Sequence, residues 1–215
     1  MLTISVLASG RGSNFQSIID AVKNGRLQAT ISLLITDNPD AFAIQRAHDG
    51  GIEHLVMQPK IFRSRDEYYQ AVANELHRRG TDLVVLAGFM RIIGKPLVEA
   101  FPNKIMNIHP ALLPAFPGLH GQKQALDYGV KISGCTVHFV DEGMDTGPII
   151  IQAAVPVRDE DSEETLSNRI LQFEHKIYPE AIRLFSEGRL EVVGRRVRVK
   201  GSPPDDRGLT SPSLG

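Results

Sequence analysis

The chain has a single cysteine, Cys135, among its 215 residues, which excludes an intrachain disulfide and a cysteine-based zinc site. That scarcity fits a reducing compartment, and a cytoplasmic location is expected. Charge of one sign is lacking too. The 24 Lys and Arg against 25 Asp and Glu leave a formal net charge of -1. Neither a nucleic-acid nor a membrane partner is expected from that balance, although it is compatible with a local anionic site. No apolar run approaches the ~18 residues that span a bilayer. The opening MLTISVLASGRGS has no basic start and too short an apolar run for a secretory signal. Internal repeats are absent as well. What is present is an ordinary globular balance, 42% hydrophobic and 23% charged, over a length suited to one large domain or two small ones.

Along the chain, strands and helices alternate. Residues 2–8, 30–36, 52–57 and 83–87 read as strands, the last apolar on both faces. Helices are expected after the glycine turn at 9–14, over 41–49, and from a capping-box pattern at Ser64 and Glu67 to Arg79. A short helix over 96–100 leads to a strand ending at Asn107. Continuously apolar strands alternating with helices argue for a mostly parallel sheet with helices on both faces. Residues 132–140 and 148–157, joined by a loop of hairpin length, add antiparallel strands in the C-terminal half. A long helix opens near Ser162, with Pro179 expected to kink or split it, and a small hairpin follows over 189–199. One domain over 1–200 is expected, with halves 1–100 and 101–200, and a disordered tail over 201–215.

Five features carry chemistry. In the stretch IMNIHPALLPAFPG, Asn107 and His109 stand two apart, so an extended chain places the amide and the imidazole on one face. Pro110, Pro114 and Pro117 stiffen the loop beyond them. The turn SGRGSN, 9–14, joins a strand to a helix, where backbone N–H groups attract an anion. Phe15 replaces the third glycine of a dinucleotide fingerprint, so a single phosphate suits the turn better than a pyrophosphate. A tight turn N-capped by Ser13 or Asn14 suits the same residues. In VDEGMDTGP, three carboxylates and two glycines make a flexible acidic loop, where an aspartate can orient a histidine or merely form a solvated hairpin tip. GFMRI, 88–92, follows a central strand, with Met90 and Ile92 as an apolar slot and Arg91 as its rim. His109, His120 and His138 lack metal-ligand spacing, so no metal is expected.

With these pieces in order the chain resembles the phosphoribosylglycinamide formyltransferases, folate-dependent enzymes of purine biosynthesis. The resemblance rests on SGRGSN, LVVLAGFMRI, NIHPALLPAFPGLH, SGCTVHFVDEGMDTGPIIIQ and FEHKIYPEAI, and covers residues 2–190. It implies a Rossmann-like formyltransferase fold and transfer of formyl from 10-formyltetrahydrofolate, as co-substrate, to the amine of glycinamide ribonucleotide. By motif position it implies Asn107, His109 and Asp145 as the catalytic set. Gly12, Ser13, Asn14 and Glu174 would hold the ribonucleotide. Arg65, Met90, Arg91, Ile92, Ile93, Asn107, Asp141, Glu142, Gly143, Met144 and Asp145 would line the folate site. The expected partners are these small molecules, with the chain a monomer or homodimer. Rival readings are a formyltetrahydrofolate deformylase using water as acceptor, a non-catalytic nucleotide- or folate-binding protein, and a NAD-binding oxidoreductase with Asp37 on a ribose.

Overall fold

The β-branched and leucine-rich segments form strands with both faces covered. β1 (Leu2–Leu7), β2 (Ala29–Thr36), β3 (His54–Val56), β4 (Leu83–Leu86) and β5 (Ile105–His109) run parallel in the spatial order β3-β2-β1-β4-β5. The computed structural model describes residues 1–201 and residue 211, so the tail expected to be disordered lies, except at Gly201 and Ser211, outside the described residues. β6 (Ile132–Phe139) and β7 (Ile149–Pro156) extend the sheet in antiparallel fashion, as their short connection requires. The hairpin of β8 (Leu190–Val193) and β9 (Arg196–Val199) joins its far end through one parallel pairing, Ile149 with Arg196, giving nine strands among the described residues.

Each face has its own helical cover. Phe15, Ile18 and Ile19 of α1 (Ser13–Lys23), with Tyr178 and Ile182 of α6 (Glu163–Ser186), bury Ile4, Val6, Val85, Ile108 and Val137. α2 (Ala43–Gly50) lies beside α1. On the opposite face, α3 (Arg65–Arg78) and α4 (Lys95–Ala100) cover Leu7, Val84, Leu86 and Ile105. That face continues through Asn107 and His109, by the two-residue period of a strand. α5 (Gly121–Tyr128) leads into β6.

The chain reverses its direction of growth between β1 and β4, which is where open α/β sheets bind ligands. The loops leaving those strands are tied together: Ser9 N–H donates to the Gly88 carbonyl (3.0 Å) and Met90 N–H to Ser9 Oγ (3.0 Å).

Three local expectations are corrected. α6 is not split at Pro179 but runs for 24 residues, because Tyr178, Pro179, Ala181 and Ile182 are buried and packing overrides the missing hydrogen bond. β5 extends past Asn107 to His109, since antiparallel pairing with β6 supplies hydrogen-bond partners. At Ser64 only half of the capping box forms: Ser64 caps Glu67 N–H, but the Glu67 carboxylate accepts from Arg63 N–H (2.8 Å) instead. A full box forms at Ser162 and Thr165.

Tyr178 pins α6 to the strands beneath the site. Its hydroxyl, buried, reaches the carbonyls of Leu86 (2.8 Å) and Met106 (2.9 Å). Tyr178→Phe keeps the ring but removes that hydroxyl, so it should cost about 1–3 kcal/mol. Urea denaturation of the two proteins checks this.

Candidate active site

A cavity of 960 Å³ opens where the cover of α3 and α4 ends. Asn107 and His109 lie in its lining, on the face that the strand period requires. β6 runs antiparallel beside them, with His138 directly opposite Asn107 and Thr136 opposite His109. His138 had no role in the reading of the sequence beyond membership of a histidine trio. It sits at the centre of the site, 1% exposed, and its imidazole Nδ1 faces the Phe139 carbonyl at 2.8 Å. A carbonyl only accepts, so the proton is on Nδ1 and Nε2 accepts from the Asn107 amide (3.2 Å). The alternation of strand residues 132–139 was the one signal that could have placed His138 on the site's face.

His109 is held in the complementary way. Its Nε2 donates to the Phe116 carbonyl at 2.8 Å, leaving Nδ1 unprotonated, 3.5 Å from Asp145 Oδ2. Asp145 Oδ2 also accepts from Gly118 N–H (2.8 Å), and Oδ1 lies 3.6 Å from His138 Nε2. So Asp145 and His109, 36 positions apart in sequence, do meet. Asp145 and Phe116 both have left-handed backbones, φ 54 and 55. Such conformations are uncommon outside glycine and are concentrated here around one imidazole.

Burial, the largest effect, pushes the His109 pKa below the ordinary histidine value, and the Asp145 charge acts in the opposite direction, favouring the imidazolium. Burial likewise pulls the Asp145 carboxyl upward, but His138, the Gly118 N–H and the charge of His109 together hold it below the usual carboxylate range.

Of the residues expected around a folate, Arg65, Met90, Arg91, Ile92, Ile93, Asn107, Asp141, Gly143, Met144 and Asp145 line the cavity. Glu142 does not; its carboxylate points outward, 4.0 Å from Lys95. Arg65 donates to the carbonyls of Ile92 and Ile93, shaping the wall. Arg91 pairs with Asp37 at 2.5 Å, which engages the carboxylate that the dinucleotide reading needed for a ribose. The acidic loop is braced: Asp141 Oδ1 accepts from Gly143 N–H (3.1 Å) and from the Thr146 hydroxyl (2.6 Å). Its glycines serve close approach, not flexibility. A Cβ on Gly143 would lie 2.0 Å from Thr146 Oγ1, and one on Gly147 would lie 1.8 Å from the Phe139 carbonyl oxygen.

The SGRGSN turn lies outside the cavity lining, at the start of α1. Neither Ser13 nor Asn14 is the N-cap; Gly12 is, at φ 64 and without a side-chain cap. The first N–H groups of the helix are therefore not engaged by a cap side chain, as an anion cradle requires. Gly12 has a second duty, because a Cβ there would come within 2.9 Å of Ala43 Cβ on α2. A valine at this position would disturb the α1–α2 contact as well as ligand approach. Asn14 Nδ2 donates to Glu174 Oε2 (2.7 Å), which brings these two candidates together, while Asn14 Oδ1 is buried without a partner.

Burial raises the Glu174 carboxyl above its ordinary pKa, with the Asn14 bond opposing. For an acid with a raised native pKa, stability is intact below the unfolded-state value and is lost as pH climbs through the native one. Glu174→Gln should therefore melt a few degrees above the parent at about pH 8, and the gap should shrink towards about pH 4. Thermal melts across that range check the sign.

This set of an amide, an imidazole and a carboxylate beside a large apolar-walled cavity suits acyl-group transfer to an amine, on a formyltransferase-type α/β sheet. The formyl transferase family model matches residues 2–182, and the chain belongs to that family. Within it, the chain is similar to phosphoribosylglycinamide formyltransferases. That of Bacillus subtilis (strain 168) is 45% identical over 183 residues, covering 85% of this chain and 94% of that protein. That of Escherichia coli (strain K12) is 42% identical over 191 residues, covering 89% and 90%. The crystal structure of glycinamide ribonucleotide transformylase 1 from Symbiobacterium toebii superposes with a TM-score of 0.92 at 54% identity, covering 93% of this chain and 94% of that one. The chain is also 46% identical over 187 residues to the trifunctional purine biosynthetic protein adenosine-3 of Drosophila melanogaster, of which it spans only 14%. Among the described residues no helix is long and apolar enough to cross a membrane.

Proposed function

We propose that the chain transfers the formyl group of 10-formyltetrahydrofolate to the amino group of glycinamide ribonucleotide, giving formylglycinamide ribonucleotide and tetrahydrofolate in de novo purine (IMP) biosynthesis. The convergence of Asn107, His109 and Asp145 at the cavity, with His109 Nδ1 3.5 Å from Asp145, is the observation that carries this reading. The cavity takes the folate. Met90, Ile92, Ile93 and Met144 supply apolar walls for a flat ring, and the carbonyls held by Arg65 supply polar edges. The cradle at 12–14, with Glu174, takes the ribonucleotide phosphate and sugar. The half over 1–100 thus contributes the phosphate cradle and part of the folate wall, and the half over 101–200 contributes the reacting groups. The compartment is the cytoplasm.

The amine attacks the formyl carbon and the formyl oxygen gains negative charge. Asn107 gives one amide N–H to His138, which fixes the amide's orientation and leaves its second N–H for that oxygen. Burial keeps His109 neutral, so Nδ1 can accept the proton that the attacking amine loses. Asp145 stabilises the imidazolium that results. The same proton then goes to the leaving folate nitrogen as the tetrahedral intermediate collapses.

The test incubates the protein with 10-formyltetrahydrofolate, with and without glycinamide ribonucleotide, and follows the absorbance of the tetrahydrofolate product. Turnover should require the ribonucleotide. Equal turnover without it would replace this reading by that of a hydrolase.

A further inference from the structure

The loop that carries Asp145 is held from a side that takes no part in the chemistry. Arg195, in the turn between β8 and β9, donates from Nη2 to the Thr146 carbonyl at 2.9 Å. The next residue, Arg196, pairs with Ile149, the point where the hairpin joins the sheet. The hairpin thus touches the chain at two places within four residues of Asp145. On the other side of the loop, Gly118 N–H holds the Asp145 carboxylate and the chain at Gly147 lies against the Phe139 carbonyl. Between these supports Asp145 keeps a left-handed backbone, φ 54, a conformation that persists only where the surroundings enforce it. The family match ends at residue 182, before the hairpin begins.

We propose that Arg195 is a positioning residue for formyl transfer: its grip on the Thr146 carbonyl keeps the Asp145 carboxylate set against His109. This rests on the catalytic reading of Asp145 above. An arginine suits the task because the guanidinium presents several donors from a fixed plane, so one can stay on a backbone carbonyl while the side chain is otherwise in water.

The experiment compares Arg195→Ala, Arg195→Lys and Arg198→Ala, the last an exposed residue of the same charge on β9, in the full chain. Steady-state rates are measured for both substrates, alone and in an Asp145→Asn background. Arg195→Ala should lower kcat roughly 5–20-fold with both KM values within about twofold of the parent, because placement of the carboxylate matters only during reaction. Lysine, which can still donate to the carbonyl, should recover most of the loss, and Arg198→Ala should stay within about twofold. In the Asp145→Asn background, Arg195→Ala should change kcat less than about twofold, since nothing is left to position. An equal loss in Arg198→Ala would make the effect one of net charge and overturn the proposal. So would an undiminished effect of Arg195→Ala in the Asp145→Asn background, or a lowered melting temperature with kcat unchanged. A normal kcat in Asp145→Asn itself would instead remove the catalytic reading on which the proposal stands. A slow Asp145→Asn beside a normal Arg195→Ala would sink the proposal alone.

Discussion

Asp145→Asn is expected to lower kcat by about 10²–10⁴-fold, the range of acid–base groups, while the KM values for both substrates move far less. The substitution is conservative in every respect but charge. Asparagine tolerates the left-handed backbone of position 145, and its carbonyl can still accept from Gly118 N–H. What disappears is the negative charge 3.5 Å from His109 Nδ1. Burial already depresses the His109 pKa, and Asp145 is the group that opposes burial. Without it the imidazolium loses its stabilising partner, so His109 should titrate at still lower pH. Any limb of the kcat/KM profile that reports His109 should shift the same way. Rate profiles of the two proteins and an NMR titration of the His109 ring check both halves of the expectation. A variant with near-normal kcat, or a His109 titration that stays in place, would take Asp145 out of the mechanism.

Asn107→Ala is expected to lower kcat by about 10²–10³-fold, as removal of one preorganised oxyanion donor does. The amide is fixed on two sides. The β5 backbone sets its face, and His138 Nε2 takes one of its N–H groups at 3.2 Å. The remaining N–H needs no reorientation when charge develops, which is why its loss should fall on kcat rather than on KM. Position 107 is only half-buried, so truncation should cost little stability; a melting curve beside the kinetics separates the two effects. Undiminished kcat in a folded Asn107→Ala protein would mean that another donor meets the oxyanion.

Much of this molecule was legible before its structure. Apolar runs such as LVVL and the helix start at Ser64 are local signals, and local sterics decide them. The facing of Asn107 and His109 also followed from local geometry, because a strand repeats every two residues. The short connection over 141–147 was enough to make β6 and β7 antiparallel.

Tertiary structure decided what lies across from these residues. His138 stands opposite Asn107 because of the register between β5 and β6, and a shift of one residue would have turned it to the other face. The Phe116 carbonyl that selects the His109 tautomer, the Gly118 N–H on Asp145 and the Arg195 grip on Thr146 are backbone contacts, in which side-chain identity leaves little trace. Gly12 reads as a phosphate turn in sequence, yet its contact with Ala43 appears only once α1 and α2 are docked. Proline at 179 argued for a kinked or split helix, and the buried face of α6 keeps the helix continuous through it. By itself the sequence determined the elements, their class of sheet and the pair of polar groups on one strand, because each depends on neighbours in the chain. The completed site required partners up to 49 positions apart, and those are chosen by strand register and packing of the whole sheet.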